Sequence, residues 1–502
     1  MYLLSLAVAW LALGRADALP GQHVFAGPQH GAANAPAAPS GRVADPSMVD
    51  ASQWTSVTTM DAIPHYQLRT KQPNLCDTNV TQYSGYLDTA EDKHFFFWFF
   101  EARKAKREDA PVILWLNGGP GCSSFTGLLM ELGPCRVAKG GNSTEYNPYS
   151  WNDQAHVVFL DQPTNVGFSY GSDVFTSVAA GQDVHAFLQL LYKALPEYAG
   201  SDLHIAGESY GGHYVPAVAK AIREANADLS ENIRVGRLGI GEQEKRVLPL
   251  ASIAIGNGLV DPLTQYKYYS QMACNSTYPP VLDNEQCAKM DAAYPTCARL
   301  TRACYRWQTA LTCVPAMMYC SSRIEDVYFK TGRNPYDVRE NCGDAELCYP
   351  IVGDIYMYLN DPAVQKELGA EVSKFEPCSE KVGYGFSLNG DEAKPFHQEI
   401  PPLLADGIRV LVYAGDADFI CNWYGNKAWA LALEWPGKEP FNSAHDKPWY
   451  AGAVQAGEVR EHGNFTFVRV FEAGHMVPYD QPVASLDMIN RWLGRRPMAS
   501  SK

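Results

Sequence analysis

Leu203-His204-Ile205-Ala206-Gly207-Glu208-Ser209-Tyr210-Gly211 reads as an apolar strand running straight into a G-x-S-x-G turn, with a helix-like segment opening near His213. In such a strand-to-helix elbow the two glycines permit the tight turn, and the serine hydroxyl is held up into solvent at the sheet edge. The strand theme repeats outward from this point. Val112 to Leu116, Val157 to Leu160, Ile253 to Ile255 and Val410 to Tyr413 are short, continuous apolar runs. Runs of that kind bounded by Gly and Pro suit strands buried on both faces. Ala179 to Leu195 carries apolar residues at spacings of three and four, the pattern of a helix. Strands alternating with helices predict an α/β fold on a mostly parallel, helix-covered central sheet.

The chain has 502 residues and a formal charge of −14, with 46% hydrophobic and 19% charged residues. That composition can bury a full core and excludes a disordered chain. The acidic balance, with no basic domain standing out, argues against a nucleic-acid binder held by phosphate contacts. Length alone fits about three domains, or one large catalytic unit with an insertion. Tyr2 to Leu13 is almost wholly apolar and precedes Ala16-Asp17-Ala18, which predicts a signal peptide over residues 1–18. The run falls short of the roughly 20 residues of a bilayer-spanning helix, so no membrane span is expected after signal removal. An Ala-, Pro- and Gly-rich stretch up to about residue 41 marks a propeptide or linker region, assigned to 19–75.

Eight of the thirteen cysteines lie between Cys274 and Cys348. In an exported chain such crowding reads as a disulfide-stapled module. The segment interrupts the strand-helix alternation and predicts an inserted cap over 259–396, above the carboxyl ends of the strands. The hydrolase core would occupy 76–258 and 397–502. A zinc cluster is not expected, because the stretch holds no His and no paired C-x-x-C knuckles. Sequons at Asn79, Asn142, Asn275 and Asn464 offer glycan acceptors.

Serine is a poor nucleophile until a neighbouring base removes its proton. An elbow of this type demands an acid and then a histidine later in the chain. Asp418 lies in Tyr413-Ala414-Gly415-Asp416-Ala417-Asp418-Phe419-Ile420, just past a predicted strand, with Asp416 as a local rival. His475 lies in Glu472-Ala473-Gly474-His475-Met476-Val477-Pro478, past the strand-like Phe467 to Phe471. An early strand ends in Asn117-Gly118-Gly119-Pro120-Gly121-Cys122-Ser123-Ser124, whose glycine-rich backbone can turn N–H groups toward a developing oxyanion.

Together these segments resemble the serine carboxypeptidase family, in its fungal vacuolar carboxypeptidase Y type. The likeness also rests on Tyr83-Ser84-Gly85-Tyr86-Leu87-Asp88, Asn147-Pro148-Tyr149-Ser150-Trp151-Asn152, Leu160-Asp161-Gln162-Pro163 and Gly256-Asn257-Gly258-Leu259, and runs from about Cys76 to Trp492. It implies an α/β-hydrolase fold and release of C-terminal amino acids at acidic pH through an acyl-enzyme. Ser209 would be the nucleophile, His475 the base and Asp418 its partner, with the N–H groups of Gly119 and Tyr210 as the oxyanion hole. Asn117, Gly118, Glu131 and Glu208 would hold the substrate's terminal carboxylate. Tyr266, Tyr269, Tyr336, Tyr349, Cys421 and Met476 would line the substrate pocket. The implied disulfides are Cys122 with Cys378, Cys274 with Cys287, Cys297 with Cys320, Cys304 with Cys313, and Cys342 with Cys348. Cys76 and Cys135 remain and are predicted to bond to each other. Glu392 departs from the type, which has tryptophan there, and this argues against a strongly apolar preference for the penultimate residue. Peptide and protein C-termini would be the substrates, the chain's own propeptide or a proteinaceous inhibitor the partner, and a vacuole, a lysosome-like compartment or the exterior the destination.

These motifs supply no arginine clamp for a free C-terminus. A buried carboxylic acid donates a hydrogen bond to a carboxylate only while one of the two is protonated, so binding should strengthen as pH falls. An esterase, lipase or acyltransferase would use the same triad, since function lives in the site rather than the fold. The Asn117 and Glu208 pair, however, is unnecessary for a neutral ester. A catalytically idle protective binding protein would not need Ser209, Asp418 and His475 all intact. No cofactor is expected, as no metal, nucleotide or flavin signature occurs.

Overall fold

The computed structural model describes residues 42–235 and 242–499. The expected signal peptide and the first part of the expected propeptide lie outside the described residues. The strands, in chain order, are β1 (Ser56–Thr59), β2 (Tyr66–Lys71), β3 (Gln82–Thr89), β4 (Lys93–Phe100), β5 (Val112–Leu116), β6 (Cys135–Val137), β7 (Thr144–Tyr146), β8 (His156–Leu160), β9 (Tyr170–Gly171), β10 (Leu203–Ser209), β11 (Leu250–Gly258), β12 (Arg409–Gly415), β13 (Lys447–Ala451), β14 (Val454–His462) and β15 (Phe465–Val470). Six of them run parallel in the order β8-β5-β10-β11-β12-β15. Antiparallel strands β4, β3, β2 and β1 extend one edge, and β14 and β13 the other.

Every residue of β5 and β12 is buried, which is why these strands show no polar alternation in the sequence. The pleat sends Leu114 and Ile205 into one core and Ile113, Trp115 and Ala206 into the other, on opposite faces of the sheet. Helices α1 (Ser177–Ala194) and α2 (Gly211–Val235) pack together, and α2 covers β10 and β11. The Thr176 side chain accepts from Ala179 N and fixes the start of α1. This is an α/β-hydrolase fold.

Between β11 and β12 the chain is helical, with its longest helices at Asn284–Trp307 and Ala310–Cys320. Disulfides Cys274–Cys287, Cys297–Cys320, Cys304–Cys313 and Cys342–Cys348 staple this segment internally. Cys122–Cys378 ties it to the loop after β5, and Cys76 bonds Cys135.

Residues 42–75 correct the linker alternative of the 19–75 assignment. Arg42 donates to Gly167 O at 2.7 Å, β1 and β2 complete the sheet edge, and Leu68 is fully buried. The Arg69 guanidinium bridges Asp88 (2.6 Å) and Glu371 (2.5 Å), so this segment also reaches the helical insertion. Asn79, Asn142 and Asn275 are exposed, whereas Asn464 is half-buried and donates to Gly407 O at 3.2 Å. Among the described residues no helix is long and apolar enough to cross a membrane.

Candidate active site

Ser209 ends β10 at φ +60°, left-handed backbone that a non-glycine residue adopts at a cost of order 1 kcal/mol or more. The strain falls on the serine itself rather than on a glycine. Gly207 serves a different need: a Cβ there would lie 2.5 Å from Leu116 O, so the missing side chain lets β10 approach β5. Helix α2 begins two residues after the serine and aims the positive end of its dipole at this point.

The loop after β5 meets the elbow from the side. A Cβ on Gly118 would lie 2.3 Å from Tyr210 N and 2.7 Å from Ser209 Cβ, so only glycine allows the two backbones to touch. Asn117 Oδ1 accepts from Trp115 Nε1 (2.7 Å) and Gly127 N (3.0 Å), which orients the amide so that its Nδ2 donates to Glu208 Oε1 at 3.0 Å. Asp161 steadies the loop, accepting from Ser123 Oγ (2.6 Å), Ser124 N (3.0 Å) and Phe168 N (3.0 Å). Burial pushes its carboxyl up to about 7. Ser123 N donates to Pro377 O and Ser379 N to Gly121 O, each at 2.8 Å, on either side of the Cys122–Cys378 bond.

Asp418, just beyond β12, is fully buried. Its oxygens accept from Asn257 Nδ2 (2.8 Å), Ile420 N (3.0 Å) and Cys421 N (3.2 Å), and Oδ2 lies 2.8 Å from His475 Nδ1. With Nδ1–H donating to this carboxylate, Nε2 of the neutral ring is left to accept a proton. His475 N also donates to Tyr336 O at 2.8 Å. The rival Asp416 is engaged elsewhere, by Tyr278 OH (2.7 Å), Arg469 Nη2 (3.0 Å) and Glu472 N (3.0 Å).

Ser209 and His475 line one cavity together with Asn117, Gly118, Gly119, Glu208, Tyr336 and Met476. Behind it stands Glu131, fully buried on the turn Gly127–Leu132. Among the described residues, neither Glu131 oxygen nor Glu208 Oε2 has a partner within hydrogen-bond geometry, and these two carboxyls interact with each other. Burial pushes both above the ordinary carboxylate range, and the charge of Glu131 pushes Glu208 further. The charge of either group opposes ionisation of the other, which favours a proton held between them.

A second cavity shares the Ser209 and Gly119 walls and is lined beyond them by Tyr210, Tyr269, Glu325, Glu392, Ile420 and Cys421. The Tyr269 hydroxyl donates to Ile420 O at 2.7 Å. Tyr266 and Tyr349 stand one layer back, Tyr266 OH at 3.4 Å from Glu325 Oε2 and the Tyr349 ring 6.1 Å from that of Tyr336. Cys421 is a buried free thiol, and burial with the nearby charge of Asp418 keeps it protonated. Sequence reasoning passed over Asn257 as the donor to Asp418, although its place in Gly256-Asn257-Gly258 at the end of β11 is a usable signal. Asp418, Cys421 and His475 bring potential metal-ligand atoms within 4.8 Å of one another, but the direct His475–Asp418 hydrogen bond makes this a hydrogen-bonded group.

A sequence profile described as serine carboxypeptidase matches residues 73–495. Carboxypeptidase Y homolog A of Leptosphaeria maculans is 50% identical over 439 residues, covering 86% of this chain and 77% of that one. Carboxypeptidase Y of Komagataella phaffii is 46% identical over 450 residues, covering 88% and 82%. Among solved structures, the prohormone-processing carboxypeptidase Kex1Δp of Saccharomyces cerevisiae superposes with a TM-score of 0.69 at 24% identity, over 88% of this chain and 94% of that one, a likeness of fold. The profile match and these identities place the chain in the serine carboxypeptidase family.

Proposed function

We propose that this chain releases C-terminal amino acids from peptides and proteins by acyl transfer to Ser209. His475 takes the hydroxyl proton and returns it to the departing amine, while Asp418 holds the imidazole in the required tautomer. The acyl-enzyme is then hydrolysed by the same steps with water as nucleophile. Backbone N–H groups of Gly119 and Tyr210 receive the oxyanion, at the start of α2 where the helix dipole favours negative charge.

The observation that carries the reading is the buried Glu131 and Glu208 pair beside the elbow, with Asn117 oriented onto Glu208. A neutral carboxyl donates a charge-assisted hydrogen bond to the peptide's terminal carboxylate, whereas an ester or an amide offers only a weaker neutral acceptor. Its proton is present below the raised pKa of the pair and is lost as pH climbs through it, so binding favours acid. The family and the apolar N-terminal run support entry into the secretory pathway, ending in a vacuole or outside the cell. The chain's own propeptide or a protein inhibitor would occupy the same site.

The test compares an N-blocked dipeptide with its C-terminal amide, with and without a serine-directed inhibitor. Release of the last residue from the free acid alone, abolished by the inhibitor, is the expected result. Equal turnover of the amide and the free acid would overturn the proposal.

A further inference from the structure

The two cavities meet at Ser209 and Gly119. With a terminal carboxylate at Asn117 and the Glu131–Glu208 pair, the scissile carbonyl lies over Ser209, and the side chain before the cut enters the second cavity. That cavity contains two acids, Glu325 at the end of the turn Ser321–Glu325 and Glu392 within Asp391–Ala393. Glu325 is 4% exposed and meets only hydroxyl groups, those of Ser321, Tyr269 and Tyr266. Glu392 is half-buried, and its carboxylate has no hydrogen bond or ion pair among the described residues. Lys394 is taken by Asp391 at 3.1 Å, and His213 Nε2 faces only the Glu392 backbone carbonyl, also at 3.1 Å. Burial pushes both carboxyls up, and the charge of Glu325 adds to the rise at Glu392.

Two acids facing one cavity without a basic partner, one of them buried, are costly to maintain. A cation on a flexible stem supplies what is missing: its methylenes would lie against Tyr269 and Ile420 and its charged head between the carboxylates. We propose that the second cavity selects peptides whose penultimate residue is Lys or Arg, with Glu392 and Glu325 as the specificity-determining residues. This rests on the carboxypeptidase reading and names the substrate class that site prefers.

The test measures kcat/KM for N-blocked dipeptides that share a terminal Leu and carry Lys or norleucine before it, at one fixed near-neutral pH. Active sites are counted with a serine-directed inhibitor, so that misfolded protein does not enter the ratio. The wild-type enzyme should favour Lys over norleucine by about tenfold or more, and Glu392→Gln and Glu325→Gln should each lower that ratio by about tenfold. A wild-type ratio near or below one, or a ratio unmoved in both variants, overturns the specificity while leaving the carboxypeptidase reading intact. Failure of the wild-type enzyme to cleave either dipeptide overturns both.

Discussion

At Glu208 one side chain has three neighbours that matter: Asn117 donates to it, the charge of Glu131 raises its pKa, and Ser209 follows it on the strand. Glu208→Gln replaces a titrating donor with a permanent one. For the wild-type enzyme, KM on a free-acid peptide should rise as pH passes upward through the pair's raised pKa, because the ionised pair repels the terminal carboxylate. In the variant that dependence should flatten, and KM profiles on acid and amide substrates would show it. An unchanged pH dependence would defeat the carboxylate-site assignment. Asp418→Asn keeps the shape of the side chain but asks the imidazole for the wrong tautomer, so kcat should fall about 10⁴-fold with little change in KM. Retention of even a tenth of wild-type kcat would exclude Asp418 from the role proposed for it.

Among elements, the edge pair β1–β2 is held by charge as much as by ladder hydrogen bonds. Arg69 is clasped by Asp88 and Glu371, stacks on Trp54 at 4.8 Å, and so connects the sheet edge to the segment before β12. Arg69→Met leaves two carboxylates buried without their cation and should cost about 3 kcal/mol or more of unfolding free energy, read from denaturant melts. A loss below ~1 kcal/mol would show that the bridge is solvated. The same elements explain what the sequence reveals and what it hides. Strands β5, β10 and β12 are legible because burial on both faces leaves their centres mostly apolar, with no alternation of polar residues. Strands β1 and β2, reading Ser56-Val57-Thr58-Thr59 and Tyr66-Gln67-Leu68-Arg69-Thr70-Lys71, bury one face at most, and their polar residues read as linker. Glu325 is invisible for a related reason. It lies in a helical segment where an acid normally marks the wet face, and only the tertiary fold turns it toward the cavity. The chain order of Ser209, Asp418 and His475 is legible because each residue stands at or beyond a strand end in the order an elbow requires, whereas the orientation of Asn117 is set by tertiary contacts with Trp115 and Gly127 that no local pattern encodes.

For the whole molecule, the buried carboxyls set a direction for stability against pH. Burial raises Asp161, Glu131, Glu208, Glu325 and Glu392, so the folded state keeps protons that the unfolded chain would already have released. Their contribution is complete below the ordinary carboxylate range and is lost as pH rises through the raised values. Histidines 185 and 204 act oppositely: burial lowers them to about 4 and about 3, and their cost appears as pH falls below the ordinary imidazole range. From about pH 6.5 upward the histidine effect fades and the carboxyls dominate. The thermal midpoint should therefore decline between pH 6.5 and 8, measured by calorimetry in matched buffers. A midpoint that rises across that interval would mean these carboxyls ionise freely in the fold.

The loop after β5 is moored on both sides, by Cys122–Cys378 with its flanking backbone hydrogen bonds and by Asp161 beneath. Such anchorage leaves little slack for the receiving groups to rearrange around each new guest. Discrimination among peptides must then come from exchange of side chains on fixed walls, so a change of taste in this enzyme would be written in point substitutions rather than in longer or shorter loops.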